Sequence, residues 1–273
     1  MNPDRVLIAS VQINSTDSVR DNISSVENWV KQSADAGARL LVLPESFAFM
    51  GKTMALQHEC AEVYGDGPIQ AALQRMAKQY AIWIVAGTIA LRVEQSDKLA
   101  AACLIYDNHG VEVVRYDKMH LFDVDIPNAD ESFLESAVYT PGDQVVVVDS
   151  PVGKLGVAVC YDLRFPELFR QQLEQGVQVL ILPAAFTRAT GRAHWHTLLR
   201  ARAIENLCYV AAAAQTGSHA GGRESYGHSI VYSPWGEVLG ELADEQGLVL
   251  AEIDLAAQQQ LRTQFPALNN RRL

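Results

Sequence analysis

Residues Lys154 to Leu168 read KLGVAVCYDLRFPEL, and this stretch decides the fold. Leu155 to Val159 is a short apolar run, the pattern of a buried strand. Cys160 follows, then the turn-like Tyr161-Asp162-Leu163-Arg164, and Pro166 stands where a first helical turn would begin. Proline suits that place because its missing N–H would lack a partner there anyway. A cysteine between a strand end and a helix start faces free N–H groups and the positive end of a dipole, which favour thiolate over thiol. Cys160 is therefore a candidate nucleophile. The competing reading is a small buried hydrophobe.

The same grammar repeats outward from this stretch. Helical spacing is expected over 18–36, 67–80, 166–175, 194–206 and 255–264, the last capped by Asp254. Strands are expected over 6–13, 39–44, 82–91, 100–107, 111–116, 145–149, 155–159, 177–182, 209–214, 229–233, 238–242 and 248–253. Residues 123–142 show no periodicity and read as a long loop, a kind of segment that is usually functional. Helices alternate with groups of strands, several strands are apolar throughout, and no composition shift marks a linker. The expectation is one α/β domain over residues 1–273, built as a four-layer αββα sandwich.

Composition excludes several function classes. A net charge of −10 argues against nucleic acid as a partner. No apolar run approaches the ~20 residues of a membrane span, and the N-terminus has no signal-peptide pattern. Cys60, Cys103, Cys160 and Cys208 lie far apart with no C-x-x-C, which reads as reduced thiols in a cytoplasmic protein.

Three polar residues follow apolar strands: Glu45 after LLVLP, Lys118 after VEVVRYD, and Cys160 after LGVAV. Strand ends are where α/β proteins gather reactive groups. Separately, Glu45 reads as a cap and Lys118 as a solvated charge. Together they point to a site. Arg164 offers a planar fork suited to a carboxylate, with a salt bridge to Asp162 as its bland alternative. His194 and His196 are two apart on a helix and so do not share a face as zinc ligands would. His219 is expected to be exposed and His228 to be hydrogen-bonded structure. Asp123, Asp125, Asp130 and Glu131 lack the spacing of a calcium loop. Arg188, Arg192, Arg200 and Arg202 read as a solvated helix face or a subunit contact.

Leu43-Pro44-Glu45-Ser46, Tyr116 to Phe122 (YDKMHLF) and Val159 to Leu168 (VCYDLRFPEL) resemble the three signature motifs of the nitrilase, or carbon–nitrogen hydrolase, superfamily, in order. Tyr139 to Asp143 (YTPGD), Thr190 to Trp195 (TGRAHW), Arg200 to Asn206 (RARAIEN) and Tyr226 to Ser229 (YGHS) extend the likeness over essentially the whole chain. The resemblance implies that Cys160 is the nucleophile, Glu45 the general base, and Lys118, with the backbone N–H of Tyr161, the stabiliser of the oxyanion. It also implies a second glutamate beside the lysine, Glu135 in preference to Glu131. In ω-amidase-like members the places of Arg164, Phe186 and Thr190 hold the keto-acid end of the substrate. No metal and no organic cofactor is implied, and the partners are a small amide substrate and a second copy of the chain in a homodimer or larger homo-oligomer. The C-terminal half is most like the deaminated glutathione amidase branch. The expected reaction is hydrolysis of an amide C–N bond in a small carboxylate-bearing molecule. The alternatives are a nitrilase or N-carbamoyl amidohydrolase of the same fold, and a non-catalytic binding relative. With four titratable groups in one pocket, coupled titration and a bell-shaped pH profile are expected.

Overall fold

The computed structural model describes residues 5–272 apart from 128–131. In chain order the first part holds β1 (Arg5–Gln12), α1 (Val19–Asp35), β2 (Leu40–Val42), α2 (Met54–Cys60), α3 (Pro68–Tyr80), β3 (Trp83–Val85), β4 (Ile89–Arg92), β5 (Leu99–Tyr106) and β6 (Glu112–Asp117). The hairpin β7 (Asp123–Asp125) and β8 (Ser132–Leu134) follows, then a 3-10 turn, Glu135–Ala137. The second part holds β9 (Val147–Ser150), β10 (Gly153–Val157), the 3-10 turn Cys160–Arg164, α4 (Pro166–Glu174), β11 (Val179–Ala184), α5 (Arg188–Asn206) and β12 (Tyr209–Ala214). It closes with β13 (Thr216–Ser218), β14 (Glu224–Tyr226), β15 (Ile230–Tyr232), β16 (Val238–Glu241), β17 (Gly247–Asp254) and α6 (Leu255–Gln264).

Among the described residues, two large sheets form. One runs β17-β1-β2-β3-β5-β4, with β6 also paired to β5; the other runs β16-β15-β12-β11-β10-β9. The β1–β2–β3 and β10–β11–β12 ladders are parallel, and antiparallel strands flank them. Their inner faces meet in one core, where Ile8, Val42 and Ile105 of the first sheet pack with Val157, Ile181 and Ala211 of the second. Outside the first sheet, Val26 and Val30 of α1 and Leu73 and Met76 of α3 cover Leu41 and Ile84. Outside the second, Leu168 and Phe169 of α4 and Trp195 and Leu199 of α5 join the central core. The four layers are thus helix, sheet, sheet, helix, as the strand pattern predicts.

Local signals account for most boundaries. Ser18 caps α1 by accepting from the Asp21 N–H, and Asp254 caps α6 by accepting from the Ala257 N–H. Three expectations need correction. The 82–91 strand is two strands, because Gly87 turns at φ +40° and brings the chain against Pro44. The 123–142 segment is not one loop but a hairpin and a 3-10 turn. And α5 starts at Arg188 rather than 194, capped by Thr187, which accepts from the Thr190 N–H.

Gly87 touches the site directly. A Cβ there would lie 1.9 Å from the carbonyl oxygen of Pro44, the residue before Glu45. Gly87→Ala should therefore lower stability by about 3 kcal/mol and depress turnover by displacing Glu45. Calorimetric unfolding together with an activity assay checks both; an unchanged Tm would contradict the account.

Candidate active site

Glu45 leaves the end of β2 through Leu43-Pro44 and is buried. Lys118 follows β6 and is 2% exposed; it is pinned at both ends of its peptide, its N–H donating to Ala101 and its carbonyl accepting from Gly142. Its ammonium donates to Glu45 Oε1 at 2.8 Å and to both oxygens of Glu135 at 2.9 and 2.8 Å. Glu135 sits in the 3-10 turn after the β7–β8 hairpin, and its Oε2 also accepts from the Phe122 N–H at 2.6 Å. The other oxygen of Glu45 accepts from the Ala185 N–H, which belongs to the second sheet, at 2.9 Å. Glu131, the other candidate for the second glutamate, lies outside the described residues.

Cys160 opens the 3-10 turn at the end of the β10 chain, with φ +50°, a left-handed conformation rare for a residue with a side chain. Asp162 holds that turn. Fully buried, it accepts from the Val159 N–H (2.8 Å), the His120 N–H (2.9 Å) and the Tyr116 hydroxyl (2.7 Å), and its Oδ1 lies 2.7 Å from His120 Nδ1. Arg202 on α5 is buried too; its guanidinium donates twice to the Leu163 carbonyl, at 3.2 and 3.0 Å, and to Glu205 at 2.6 Å. The salt bridge to Asp162 weighed as an alternative for Arg164 is not formed, and Arg202 is not solvated as expected.

The electrostatics correct one expectation. Burial pushes the Cys160 thiol up, the Glu45 carboxylate pushes it further, and the Lys118 ammonium only partly offsets them. The helix dipole does not rescue it, since α4 begins six residues later at Pro166. That direction favours the thiol over the thiolate beside Glu45 near neutral pH. Burial also opposes charge on Glu45, but Lys118 and the Cys160 thiol bring its carboxyl below the ordinary glutamate range. Burial opposes charge on Lys118, and Glu135 and Glu45 together hold the ammonium well above the usual lysine range. The site thus holds a proton donor beside a poised base, with a fixed cation next to both.

A cavity of about 570 Å³ opens over these groups. Glu45, Lys118, Cys160, Glu135, Tyr161, Arg164, Phe186 and Thr190 all line it, so the catalytic and substrate residues named from the sequence, Glu131 apart, converge there. Arg164 lies over the rings of Tyr161 (5.6 Å) and Phe186 (5.4 Å), and its Nη1 is 3.1 Å from His194 Nδ1. Burial and that guanidinium push His194 below the usual imidazole range, fitting it to accept from Arg164.

Sequence reasoning missed two cations on the cavity wall, Lys52 and Arg223. Arg223 precedes β14, donates to the Ala185 carbonyl and lies over the Phe133 ring; its Nε is buried with no partner among the described residues. The signal was present as a lone arginine after Gly221-Gly222, but nothing local told its direction. His219, expected to be exposed, is buried between the Ser15 carbonyl (3.0 Å) and the Ser225 hydroxyl (2.9 Å). No helix among the described residues is long and apolar enough to cross a membrane.

The fold is that of the nitrilase superfamily, and the site sets a thiol, a carboxylate and an ammonium side by side. The carbon–nitrogen hydrolase family model matches residues 7–263, and the chain belongs to that family. It is 39% identical over 266 residues to a deaminated glutathione amidase of Yersinia enterocolitica, covering 97% of this chain and 92% of the relative. It is 40% identical over 270 residues to the deaminated glutathione amidase of Homo sapiens, covering 97% and 82%. The C. elegans NitFhit crystal structure superposes with a TM-score of 0.91 at 37% identity, over 98% of this chain and 65% of that one. Saccharomyces cerevisiae Nit3 superposes at 0.88 with 28% identity, over 98% and 97%. The protein is a C–N amidase, a hydrolase acting on C–N bonds other than peptide bonds.

The pH dependence follows from the two shifts. With Glu45 as the expected base, its lowered value would move the acid limb of kcat/KM below the ordinary glutamate value of about 4.3. The raised thiol removes any limb near the ordinary cysteine value of about 8.5. A plateau spanning both values is expected in a kcat/KM–pH profile, and a limb at about 8.5 would show that a free thiolate is the reactive form.

Proposed function

We propose that the protein hydrolyses the ω-amide of a 2-oxo dicarboxylate through a Cys160 thioester, with deaminated glutathione as the preferred substrate and α-ketoglutaramate-like amides as a second class. The observation that carries this reading is the charge around the cavity. Its described lining holds two carboxylates, Glu45 and Glu135, against four cations, Lys52, Lys118, Arg164 and Arg223, in a chain whose net charge is −10. Both carboxylates are bonded to Lys118, so three cations remain for the substrate. A neutral nitrile or amide gives them nothing to bind. A substrate with a carboxylate at each end does.

In this reading Glu45 takes the thiol proton as Sγ attacks the amide carbon. The oxyanion forms beside the Lys118 ammonium and the Tyr161 N–H. The intermediate collapses, the C–N bond breaks, and the departing amine takes the proton from Glu45. Water then attacks the thioester, giving its proton to Glu45, and the acid leaves as that proton returns to sulfur. Glu135 never touches the carbonyl; with two bonds to Lys118 it fixes where the ammonium points. Arg164 takes the keto-acid end, flanked by Phe186 and Thr190. Arg223 and Lys52 take the second carboxylate, at the leaving-group end.

The chain works as one domain over residues 1–273, in a homodimer whose apolar face is Ile204 of α5, Trp235 and Phe265, all exposed, the last two packed edge to face at 5.5 Å. Its four free cysteines suit the reducing cytoplasm.

Intact-mass spectrometry of quenched turnover should show a 2-oxoglutaryl adduct that Cys160→Ala abolishes. Enzyme that turns over with no adduct on Cys160 would contradict the thioester. Arg164→Lys should raise KM for both 2-oxo acids by about tenfold or more while leaving small neutral amides nearly unaffected. Arg223→Gln should raise KM for deaminated glutathione far more than for α-ketoglutaramate. Neutral amides turned over as well as the acids, or ratios untouched by both variants, would sink the substrate assignment.

A further inference from the structure

Outside the catalytic cavity, three potential metal ligands converge from three elements. His196 lies on α5, His228 between β14 and β15, and Glu241 ends β16. His196 Nε2 and His228 Nδ1 each lie 2.8 Å from the same oxygen, Glu241 Oε1, and one atom from each residue falls within 4.8 Å of the other two. None of the three lines the cavity, and nothing in the chemistry above uses them. We propose that this cluster binds one divalent transition-metal ion, Zn²⁺ by preference.

The donor set points to that class of ion. Two imidazoles and one carboxylate suit zinc and its neighbours, whereas calcium and magnesium take oxygen ligands. With bonds of about 2.0–2.2 Å, a tetrahedral ion separates its ligands by about 3.3 Å, so each ring parts from the carboxylate by about 0.5 Å and the two ring nitrogens, within 4.8 Å of each other, close by at most about 1.5 Å. Each ring must then carry its proton on the far nitrogen. The side chains are 36%, 22% and 31% exposed for His196, His228 and Glu241, which leaves an entry path and a fourth position for water.

The rings are already held in place. His228 has φ +59°, a left-handed backbone unusual for a bulky residue. Its carbonyl accepts from Trp195 Nε1 at 2.7 Å, and Tyr226 stacks on its ring at 4.4 Å and 28°. The His196 ring meets Tyr226 and His228 edge-on, at 6.0 and 5.0 Å. This packing fixes both rings before any ion arrives, as the environment of a good site does. Bound, the ion ties α5 to β16. Trp195, next to His196, packs on the cavity residue Phe186 at 4.9 Å, so the same tie steadies one wall of the cavity.

The test uses the full-length Cys160→Ala protein, which removes the catalytic thiol as a competing ligand. Titration with Zn²⁺ by calorimetry, and with Co²⁺ followed by its visible d–d absorption, should give one ion per chain and a four-coordinate spectrum without thiolate charge transfer. Zn²⁺ at about one hundred times Kd should raise Tm by about 4 °C. His196→Gln and Glu241→Gln, introduced separately at these partly exposed positions, should each weaken binding at least about tenfold while leaving the metal-free Tm close to that of the parent. Absence of stoichiometric binding overturns the proposal. So does binding with the same affinity in both ligand variants, which would put the ion elsewhere.

Discussion

The site depends on a single buried ammonium. Lys118 is almost wholly removed from water, and its charge persists there only because Glu45 and Glu135 accept three hydrogen bonds from it. A buried cation without partners would lose its proton or its place. The dependence is mutual. Glu45 is equally buried and stays ionised because the ammonium and the Ala185 N–H meet its two oxygens. Thiol, base and cation form one group whose protons are shared, which is why a neutral thiol can be the resting form of a nucleophile here. In the proposed mechanism the base is in place first, and the thiolate appears only as the new bond forms.

That group also sets the relation between the sheets. Glu45 and Lys118 come from the first sheet, Cys160 and Ala185 from the second. Glu45 reaches across to the Ala185 N–H, Gln215 reaches back to the Glu45 carbonyl at 2.9 Å, and Tyr116 spans the gap to Asp162. Each of these bonds loses its partner if one sheet slides on the other. The apolar core between the sheets supplies most of the adhesion, but it is non-directional. The polar bonds select the one register at which the thiol faces the carboxylate.

Much of this was legible in the chain, for reasons that differ by residue. Strand ends, caps and the proline at the start of α4 are local signals, and they place Glu45, Lys118 and Cys160 at the tips of separate strands. Glu135 could be named only through its resemblance to a family, since its hairpin carries no periodic pattern. The readings that failed share a cause. Asp162, Arg202 and His219 were read as exposed or locally paired, yet each is buried against groups 39 to 204 positions away. A polar residue in a sequence gives no sign of whether distant donors will surround it, and the energy of burial turns on those donors. The thiol's ionisation was misread for the same reason: a helix start is local, whereas the desolvation and the carboxylate that outweigh it are tertiary.

The charges divide the cavity by function. Near the sulfur, burial and the Glu45 carboxylate outweigh the Lys118 ammonium, which in the proposed mechanism holds the proton on sulfur until a carbonyl arrives. Toward the substrate, Arg164, Arg223 and Lys52 lack carboxylate partners on the described wall, and Arg223 leaves a buried Nε unmatched. An arginine left short of acceptors in a partly buried wall is costly to the free protein unless something else satisfies it. In the proposed reading the same shortage becomes selectivity, because an anionic ligand answers both the free donors and the charge, whereas a neutral amide answers only the donors. The acidity of the chain as a whole sharpens the contrast, since a net charge of −10 disfavours the approach of the anions this cavity is suited to hold.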